Sequence, residues 1–417
     1  EENAYVESPI GRRRRLLTFQ MGIGDDMEVA RAKRIARNCV DTETEILTCE
    51  GWKSVENIRV GDKVYTKNKD TGEVEIQPIL KINRGEYVGK AHVIDRPGFS
   101  SVSTPNHRWL VNKRYGADKK IKTDFMYSED LPSHKGSDVK IHRTANPVKQ
   151  HGSGLWTDAE VEFLGWWFTD GSIKRYGADK KPLYLTIHQS ERANPEKVAR
   201  IDKLFKAMDL HHLRSVDTRS NCIKWETRNS SEIGIKAKLF RDKVLSKAPN
   251  KILTAEILND LSMKQLRILY DNMLLGDGCW DANAGRYRRF VSGSKEQADG
   301  FSMLCFLLGI SHNIRYRDMS KQHQIKSKLM DNIPNMTGVW LVEINKRDFA
   351  HTGFGASWKF FDGEMWCPTV ENGTWFARRK GTTYWTGNSP IQGISSDGAF
   401  LGASMFSDHL IETGKWH

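Results

Sequence analysis

The sequence predicts a multi-domain protein in which an all-β domain is interrupted by an α+β domain made of two similar copies. Its 417 residues suffice for two or three domains, each with its own core. Short alternating runs between turn residues, at 45–48, 63–66 and 91–94, predict β-structure in residues 39–150. Two apolar helices that each stop at Asp-Gly, followed by strand and helix patterns in similar order, predict a duplicated α+β unit in residues 151–347. The later helix of the first copy is expected over 195–208, and that of the second copy over 295–310.

The composition limits the function classes. A hydrophobic content of 38% argues against disorder, and no apolar run approaches a membrane span, so no membrane partner is expected. The net charge of +12 suits a nucleic-acid partner, and we expect a monomer. Six scattered cysteines without a CxxC pair predict no zinc site and reduced thiols in a cytoplasm. The missing start Met and signal segment predict an excerpt of a longer product.

The residue types around positions 38–39 and 388–389 are those that self-excision requires. Cys39 follows Asn38, and Asn388 precedes the hydroxyl residue Ser389. Cys is the most nucleophilic side chain near neutral pH. His107, three positions after Thr104, is a candidate general acid that donates to the scissile nitrogen. Correct placement alone supplies about 7 kcal/mol or more, so a peptide bond can rearrange without a cofactor.

These junctions lie in sequence blocks that resemble those of inteins. Residues 39–48, with 51–52 and 60–62, resemble the opening block of Hint-fold splicing domains, and 104–107 resemble the second block. Residues 365–371 and 386–388 resemble the last two blocks. The resemblance implies an all-β, horseshoe-like Hint domain formed by residues 39–150 and 348–388. It also implies that the Asn38 acyl group passes to a sulfur and then to the Ser389 oxygen, while Asn388 cyclises.

Two departures from the intein pattern leave the route open. The block that usually contains His reads Asn-Gly-Thr at 372–374, and Gly387 stands where His usually precedes the final Asn. Cys367, Trp109 and Thr386 match the Trp-Cys-Thr set of class 3 inteins, in which the block Cys attacks the upstream peptide. Those inteins mostly lack a first-position Cys, so Cys39 and Cys367 are both candidates for the first nucleophile. The alternatives are structural: a core aromatic for Trp109, a strand residue for Thr386, and a small buried hydrophobe for Cys367.

The flanks resemble a polymerase. Joining residue 38 to residue 389 gives RIARN-SPIQG, which resembles a signature of family A DNA polymerases. The resemblance implies that residues 1–38 and 389–417 are polymerase flanks of a phage or bacterial host protein. It also implies that Arg34, Asn38 and Gln392 contact the duplex near the primer end. The metal-binding carboxylates of the polymerase palm are absent from this sequence, so polymerisation by the precursor is not expected.

Residues 151–347 resemble a two-copy LAGLIDADG homing endonuclease. Capping boxes at 157–160 and 262–265 open the two helices, which end at Asp170 and Asp277, 107 residues apart. Side by side, the two helix ends would bring these carboxylates together to hold Mg²⁺ between the scissile phosphates. Lys251 matches the family's basic residue before the second helix, although Leu253 stands where Pro is usual. It is interpreted as a charge stabiliser near the attacked phosphate, with a surface lysine as the alternative.

Basic residues on predicted strands are candidate DNA contacts. Arg286 and Arg288 are two apart, as are Arg315 and Arg317, so each pair shares one strand face. A two-stranded ribbon with such a face can read guanine edges in the major groove, or contact phosphates only. The octapeptide KRYGADKK occurs at 113–120 and again at 174–181, which is interpreted as a basic turn used twice.

The favoured hypothesis is a self-splicing intein that carries an Mg²⁺-dependent double-strand DNA endonuclease. Its target would be the uninterrupted polymerase gene, in the cytoplasm of a phage-infected or bacterial cell. One alternative is a DNA-binding protein whose splicing is impaired, which the missing imidazoles favour. Another is a polymerase component with a structural insertion.

Overall fold

A computed structural model of the chain describes residues 5–7, 13–15, 38–115, 120–132, 139–179, 181–217, 222–228, 234–319, 338–352 and 355–388. The structure is multi-domain and mostly sheet, with several helices. Ser389, Arg34 and Gln392 lie outside the described residues, as does most of the predicted flanks. Within the described part, no helix combines the length and apolar character needed to cross a membrane.

The first third of the chain is β-structure. Its strands are β1 (Tyr5–Glu7), β2 (Arg13–Arg15), β3 (Val40–Asp41), β4 (Glu45–Thr48), β5 (Gly51–Lys53), β6 (Lys63–Lys67), β7 (Val74–Pro78), β8 (Lys81–Arg96), β9 (Phe99–Ser103), β10 (Arg108–Tyr115), β11 (Lys120–Tyr127) and β12 (Lys140–His142).

The middle of the chain alternates helices and strands in two similar copies. The first contains α1 (Asp158–Asp170), β13 (Gly171–Tyr176), β14 (Lys181–Ser190), α2 (Pro195–Met208), β15 (His212–Asp217) and β16 (Cys222–Thr227). The helices α3 (Ile235–Lys247) and α4 (Ala255–Asp260) connect it to the second, which contains α5 (Met263–Asp277), β17 (Gly278–Asp281), β18 (Arg286–Ser292), α6 (Lys295–Leu307), β19 (His312–Asp318) and β20 (Gly338–Ile344). The chain then returns to β-structure in β21 (Phe349–His351), β22 (Ala356–Thr369), β23 (Thr374–Arg379) and β24 (Thr382–Gly387).

The predicted helices form with the expected caps. Both capping boxes are confirmed, with the Thr157 and Ser262 side chains accepting from the third backbone N–H of α1 and α5. The helix expected over 195–208 is confirmed. The helix expected over 295–310 ends earlier, at Leu307, because Gly309 turns the chain with a left-handed backbone (φ 70°).

The β-structure on the two sides of the insertion forms common sheets. Strands β22, β3, β9 and β8 form a closed barrel, in which every residue of β22 pairs with the longer β8. A ten-stranded sheet runs in the order β17-β18-β20-β19-β24-β23-β4-β6-β7, with β5 paired to β4. This sheet continues from the second copy into the β domain through the β19–β24 pair, Asn313 opposite Thr382. The segments around residues 39 and 388 both lie in this β-structure.

The octapeptide that occurs twice adopts related strand pairings. The 113–120 copy spans the β10–β11 connection and pairs Tyr115 with Lys120. The 174–181 copy spans the β13–β14 connection and pairs Tyr176 with Lys181. Both copies therefore connect two antiparallel strands with the same pair of residues closing the connection.

Candidate active sites

The first junction is buried and held by Thr104. Asn38 and Cys39 have exposed fractions of 4% and 1%. The Cys39 backbone N–H donates to Thr104 Oγ1 over 3.1 Å, and the Thr104 N–H donates to the Cys39 carbonyl over 3.0 Å. The nitrogen of the Asn38–Cys39 peptide thus has a hydroxyl partner, and its position is fixed from both sides.

His107 lies between the two junctions. Its Nε2 is 2.5 Å from Oγ1 of Thr386, two residues before Asn388. Burial lowers the pKa of His107 to about 3, against the opposing effect of the Asn38 backbone carbonyl. The ring is therefore neutral near pH 7, and its buried Nδ1 has no hydrogen-bond partner among the described residues. The scissile nitrogen donates its N–H to Thr104 Oγ1, and the donation from His107 to this nitrogen that the sequence predicts stays a prediction.

Trp109 and Thr386 both contact His107. The Trp109 indole meets the imidazole edge-on with ring centroids 5.1 Å apart, and its N–H donates to Ser128 Oγ over 2.8 Å. The Ser128 hydroxyl lies 3.4 Å from the His107 carbonyl. The fully buried Trp109 is thus a core aromatic that also limits how the imidazole can rotate.

Cys39 and Cys367 share one small apolar cluster. Val40 pairs with Trp366 in the β3–β22 register, so the next step of that register sets Cys39 opposite Cys367. Both cysteines are buried, and neither is in a disulfide. Burial raises the pKa of Cys39 to about 11, with the Asn38 backbone as an opposing influence. Cys367 Sγ lies 3.3 Å from the Pro368 carbonyl.

The second junction is buried against β10. The Asn388 backbone N–H donates to the Gly373 carbonyl over 3.0 Å, and its Nδ2 donates to the Val370 carbonyl over 3.2 Å. Its Oδ1 is buried and has no hydrogen-bond partner among the described residues. A Cβ at Gly387 would stand 2.6 Å from the Arg108 carbonyl oxygen, so the close approach of β24 to β10 leaves no room there for the usual His.

In the insertion, small residues let α1 and α5 pack closely. A Cβ at Gly165 would stand 2.5 Å from Asn272 Cβ, and a Cβ at Gly276 would stand 2.2 Å from Thr169 Oγ1. The two contacts are four residues apart on both helices, which indicates side-by-side packing along one face. The helix ends that carry Asp170 and Asp277 therefore meet.

The two carboxylates and Lys251 form one electrostatic group. Burial and the Asp170 charge raise the pKa of Asp277 to about 6, and burial raises the pKa of Asp170. Burial lowers the pKa of Lys251, against the attraction of Asp277 and Asp170. Its Nζ donates to the Thr169 carbonyl over 3.0 Å, and its backbone is left-handed (φ 59°), which costs about 1 kcal/mol for a residue with a Cβ. This half-buried, strained lysine is not an ordinary surface residue.

Sequence reasoning missed two residues of this group. Lys197 interacts electrostatically with both carboxylates, and Gln189 Nε2 donates to Asp170 Oδ2 over 3.2 Å. Lys197 is in the first turn of α2, where a cation opposes the helix dipole. That unfavourable position is the signal that could have identified it. Gln189 carries no comparable signal in the sequence.

The donor set fits a divalent cation. Two half-buried carboxylates with raised pKa values repel each other, and a cation between them would relieve that repulsion. Carboxylate oxygens are the ligands that Mg²⁺ prefers, and Mg²⁺ commonly keeps several waters beside one or two carboxylates. Within the described residues no group of three or more His, Cys, Asp or Glu side chains could hold a metal, so Asp170 and Asp277 would be the protein's side-chain ligands.

The four candidate DNA-binding arginines lie in one sheet, on strands that are not neighbours. Arg286 and Arg288 are on β18, whereas Arg315 and Arg317 are on β19, and β20 pairs with both strands. These two strands therefore do not form a two-stranded ribbon with each other, because β20 lies between them. Arg288 pairs with Asp281 over 3.5 Å and Arg315 with Glu343 over 2.8 Å, while Arg317 is exposed.

Comparison with known proteins gives weak likenesses. No protein-family profile matches the chain. The ATP-dependent Clp protease proteolytic subunit of Chlamydomonas moewusii is 22% identical over 348 residues, covering 75% of this chain. The match covers 32% of that protein, so the chain spans about a third of its length.

Among solved structures, the chain is similar to two homing endonucleases and a split intein. I-DmoI in complex with DNA and Mn has a TM-score of 0.31 at 15% identity, over 46% of this chain and 91% of that one. I-WcaI bound to its DNA recognition sequence has a TM-score of 0.26 at 15% identity, over 46% of this chain and 79% of that one. The AceL NrdHF class 3 split intein has a TM-score of 0.21 at 19% identity, over 25% of this chain and 63% of that one.

Proposed function

We propose that the chain is a self-splicing protein that excises residues 39–388 and joins Asn38 to Ser389. The observation that carries the proposal is that both junctions are buried around His107, whose ring contacts Thr386 and is close enough to the Asn38 backbone for that backbone to affect its pKa. Arg108, the next residue, donates its backbone N–H to Asn38 Oδ1 over 3.1 Å and packs against Gly387. Residues 350 positions apart in sequence are thus placed for reaction with each other.

In the first step, a thiol attacks the Asn38 carbonyl carbon and the bond to the Cys39 nitrogen breaks. Thr104 accepts the Cys39 N–H and holds the peptide in place. The neutral His107 can donate to the Asn38 carbonyl oxygen as negative charge develops on it. Because burial disfavours the Cys39 thiolate, attack by Cys39 requires local proton removal, and Cys367 in the same cluster remains the other candidate.

The later steps connect the flanks. The acyl group passes from sulfur to the Ser389 oxygen, Asn388 cyclises and releases the intervening 350 residues, and an oxygen-to-nitrogen shift forms the Asn38–Ser389 peptide. No cofactor is needed, because each step exchanges one acyl bond for another.

We further propose that the α+β insertion cleaves double-stranded DNA. Asp170 and Asp277 would hold Mg²⁺, which would supply charge stabilisation at the scissile phosphates. Lys251 and Lys197 add positive charge near the carboxylate pair, where they would attract a phosphate. The arginines on β18 and β19 would contact phosphates or base edges. From the resemblance of the sequence blocks, we also propose that the β domain has the Hint arrangement and that the host protein is a family A polymerase.

Expression of the full chain followed by mass measurement tests splicing. The expected products are the 350-residue segment and a 67-residue joined flank. Cys39→Ala and Cys367→Ala identify the thiol that acts first, with Cys279→Ala, an exposed cysteine, as the matched control. An intact precursor, or flanks that are hydrolysed and not joined, would support the splicing-impaired alternative instead.

Cleavage of a duplex that encodes residues 34–38 joined directly to 389–393 tests the endonuclease. Asp170→Asn should abolish Mg²⁺-dependent cutting, whereas Asp158→Asn, at the opposite end of α1, should not. Cutting that persists in Asp170→Asn would refute the assigned role of this carboxylate.

A further inference from the structure

The Arg108 side chain lies near the second junction. Its guanidinium lies over the Phe125 ring, 3.8 Å from the centroid, and burial lowers its pKa. Among the described residues its guanidinium has neither a hydrogen bond nor an ion pair; Tyr127, Asp124 and Cys367 act on it only electrostatically. No nitrogen of this guanidinium is among the buried polar atoms that lack a hydrogen-bond partner, so its donors still contact solvent and remain available to another group.

The Asn388 side chain has a buried acceptor that lacks a donor. Its Oδ1 is fully buried without a donor, while its Nδ2 is already bonded to the Val370 carbonyl. Both groups border Gly373: the Cβ position of that glycine is 3.3 Å from Asn388 Oδ1 and 4.0 Å from Arg108 Nη2. A guanidinium without an ion pair and a buried acceptor without a donor therefore lie on either side of a residue that has no side chain.

We propose that Arg108 is the positioning residue that supplies positive charge for Asn388 cyclisation, in place of the imidazoles that this chain lacks. This inference rests on the proposed splicing function. It accounts for how a chain with Gly387 and with Asn-Gly-Thr at 372–374 completes its C-terminal step. The Arg108 backbone holds Asn38 and Gly387, so one residue connects both junctions.

The chemistry of the step requires such a charge. Asn388 Nδ2 attacks the Asn388 backbone carbonyl carbon, a new C–N bond forms, and the bond to the Ser389 nitrogen breaks. A proton from Nδ2 passes to the departing nitrogen, leaving a C-terminal succinimide and a free amino group. A donor to Oδ1 makes the Nδ2 protons more acidic, and a cation nearby stabilises the oxyanion that forms at the attacked carbonyl.

The test measures two reactions of the full chain separately. One is release of residues 389–417, and the other is cleavage before Cys39 by added dithiothreitol. Arg108→Gln should slow the release about 10²–10³-fold, as loss of one oxyanion donor does, while thiol cleavage stays within about threefold. Free guanidinium ion should restore part of the release in Arg108→Ala. Arg114→Gln, an exposed arginine on the same strand, is the matched control and should behave as wild type.

The outcomes separate this inference from the proposed function. Unchanged release in Arg108→Gln, in a chain whose wild type releases the segment, would overturn the role of Arg108 alone. Equal slowing of both reactions without guanidinium rescue would also overturn it, since a merely structural role predicts that pattern. A wild-type chain that neither releases the segment nor responds to thiol would refute the splicing proposal and this inference together.

Discussion

Placing a side chain at Gly387 should impair the protein, even when that side chain is the His that inteins usually have there. A Cβ would stand 2.6 Å from the Arg108 carbonyl oxygen and 2.9 Å from the Arg108 Cβ, whereas ordinary contact begins at 3.4 Å. Strand β24 would have to withdraw from β10 by about 0.8 Å. Overpacking of this kind costs about 1–3 kcal/mol. The same shift would move Thr386 away from His107, so both stability and splicing should fall.

Denaturant unfolding of Gly387→Ala and Gly387→His measures the cost, on precursors kept intact by Cys39→Ala and Cys367→Ala. The matched control is Gly293→Ala, since no atom lies within 4 Å of its Cβ position and its change should stay within about 0.5 kcal/mol. Splicing yield is then compared in chains with both cysteines. A Gly387→His chain that is as stable as its parent and splices faster would refute the steric reasoning.

Three other predictions concern the two sites. The pKa of Asp277 is raised to about 6, so this carboxylate binds more protons in the folded than in the unfolded state. The stability of the metal-free protein should therefore fall as the pH rises towards 6. Asp170→Asn should reduce this fall, which thermal melts between about pH 4 and pH 8 measure. Lys251→Met should slow DNA cleavage about 10²-fold while gel-shift affinity stays within about threefold, and an equal loss of binding would contradict a role in charge stabilisation. Thr104→Val leaves the Cys39 N–H without its acceptor and should cost about 1–3 kcal/mol in unfolding experiments, with Thr104→Ser retaining most of the stability.

Local signals in the sequence predicted the helices well. The capping boxes at Thr157 and Ser262 depend on residues three positions apart, so the sequence alone is sufficient to place both helix starts. The Asp-Gly ends of α1 and α5 likewise predicted that Asp170 and Asp277 terminate equivalent helices. The need for glycine at 165 and 276 is visible only in the structure, because it arises from contact with the facing helix.

The sequence by itself determined which residue types carry the chemistry, because nucleophiles, imidazoles and carboxylates are recognisable by type and spacing. Tertiary structure alone decided their partners. It set His107 against Thr386, made Thr104 the acceptor of the scissile N–H, brought Lys197 near the carboxylates, and placed Arg108 and Asn388 around Gly373. The physical reason is that pKa values, free hydrogen-bond donors and close backbone contacts depend on groups far away in sequence, which come together only when the sheets close.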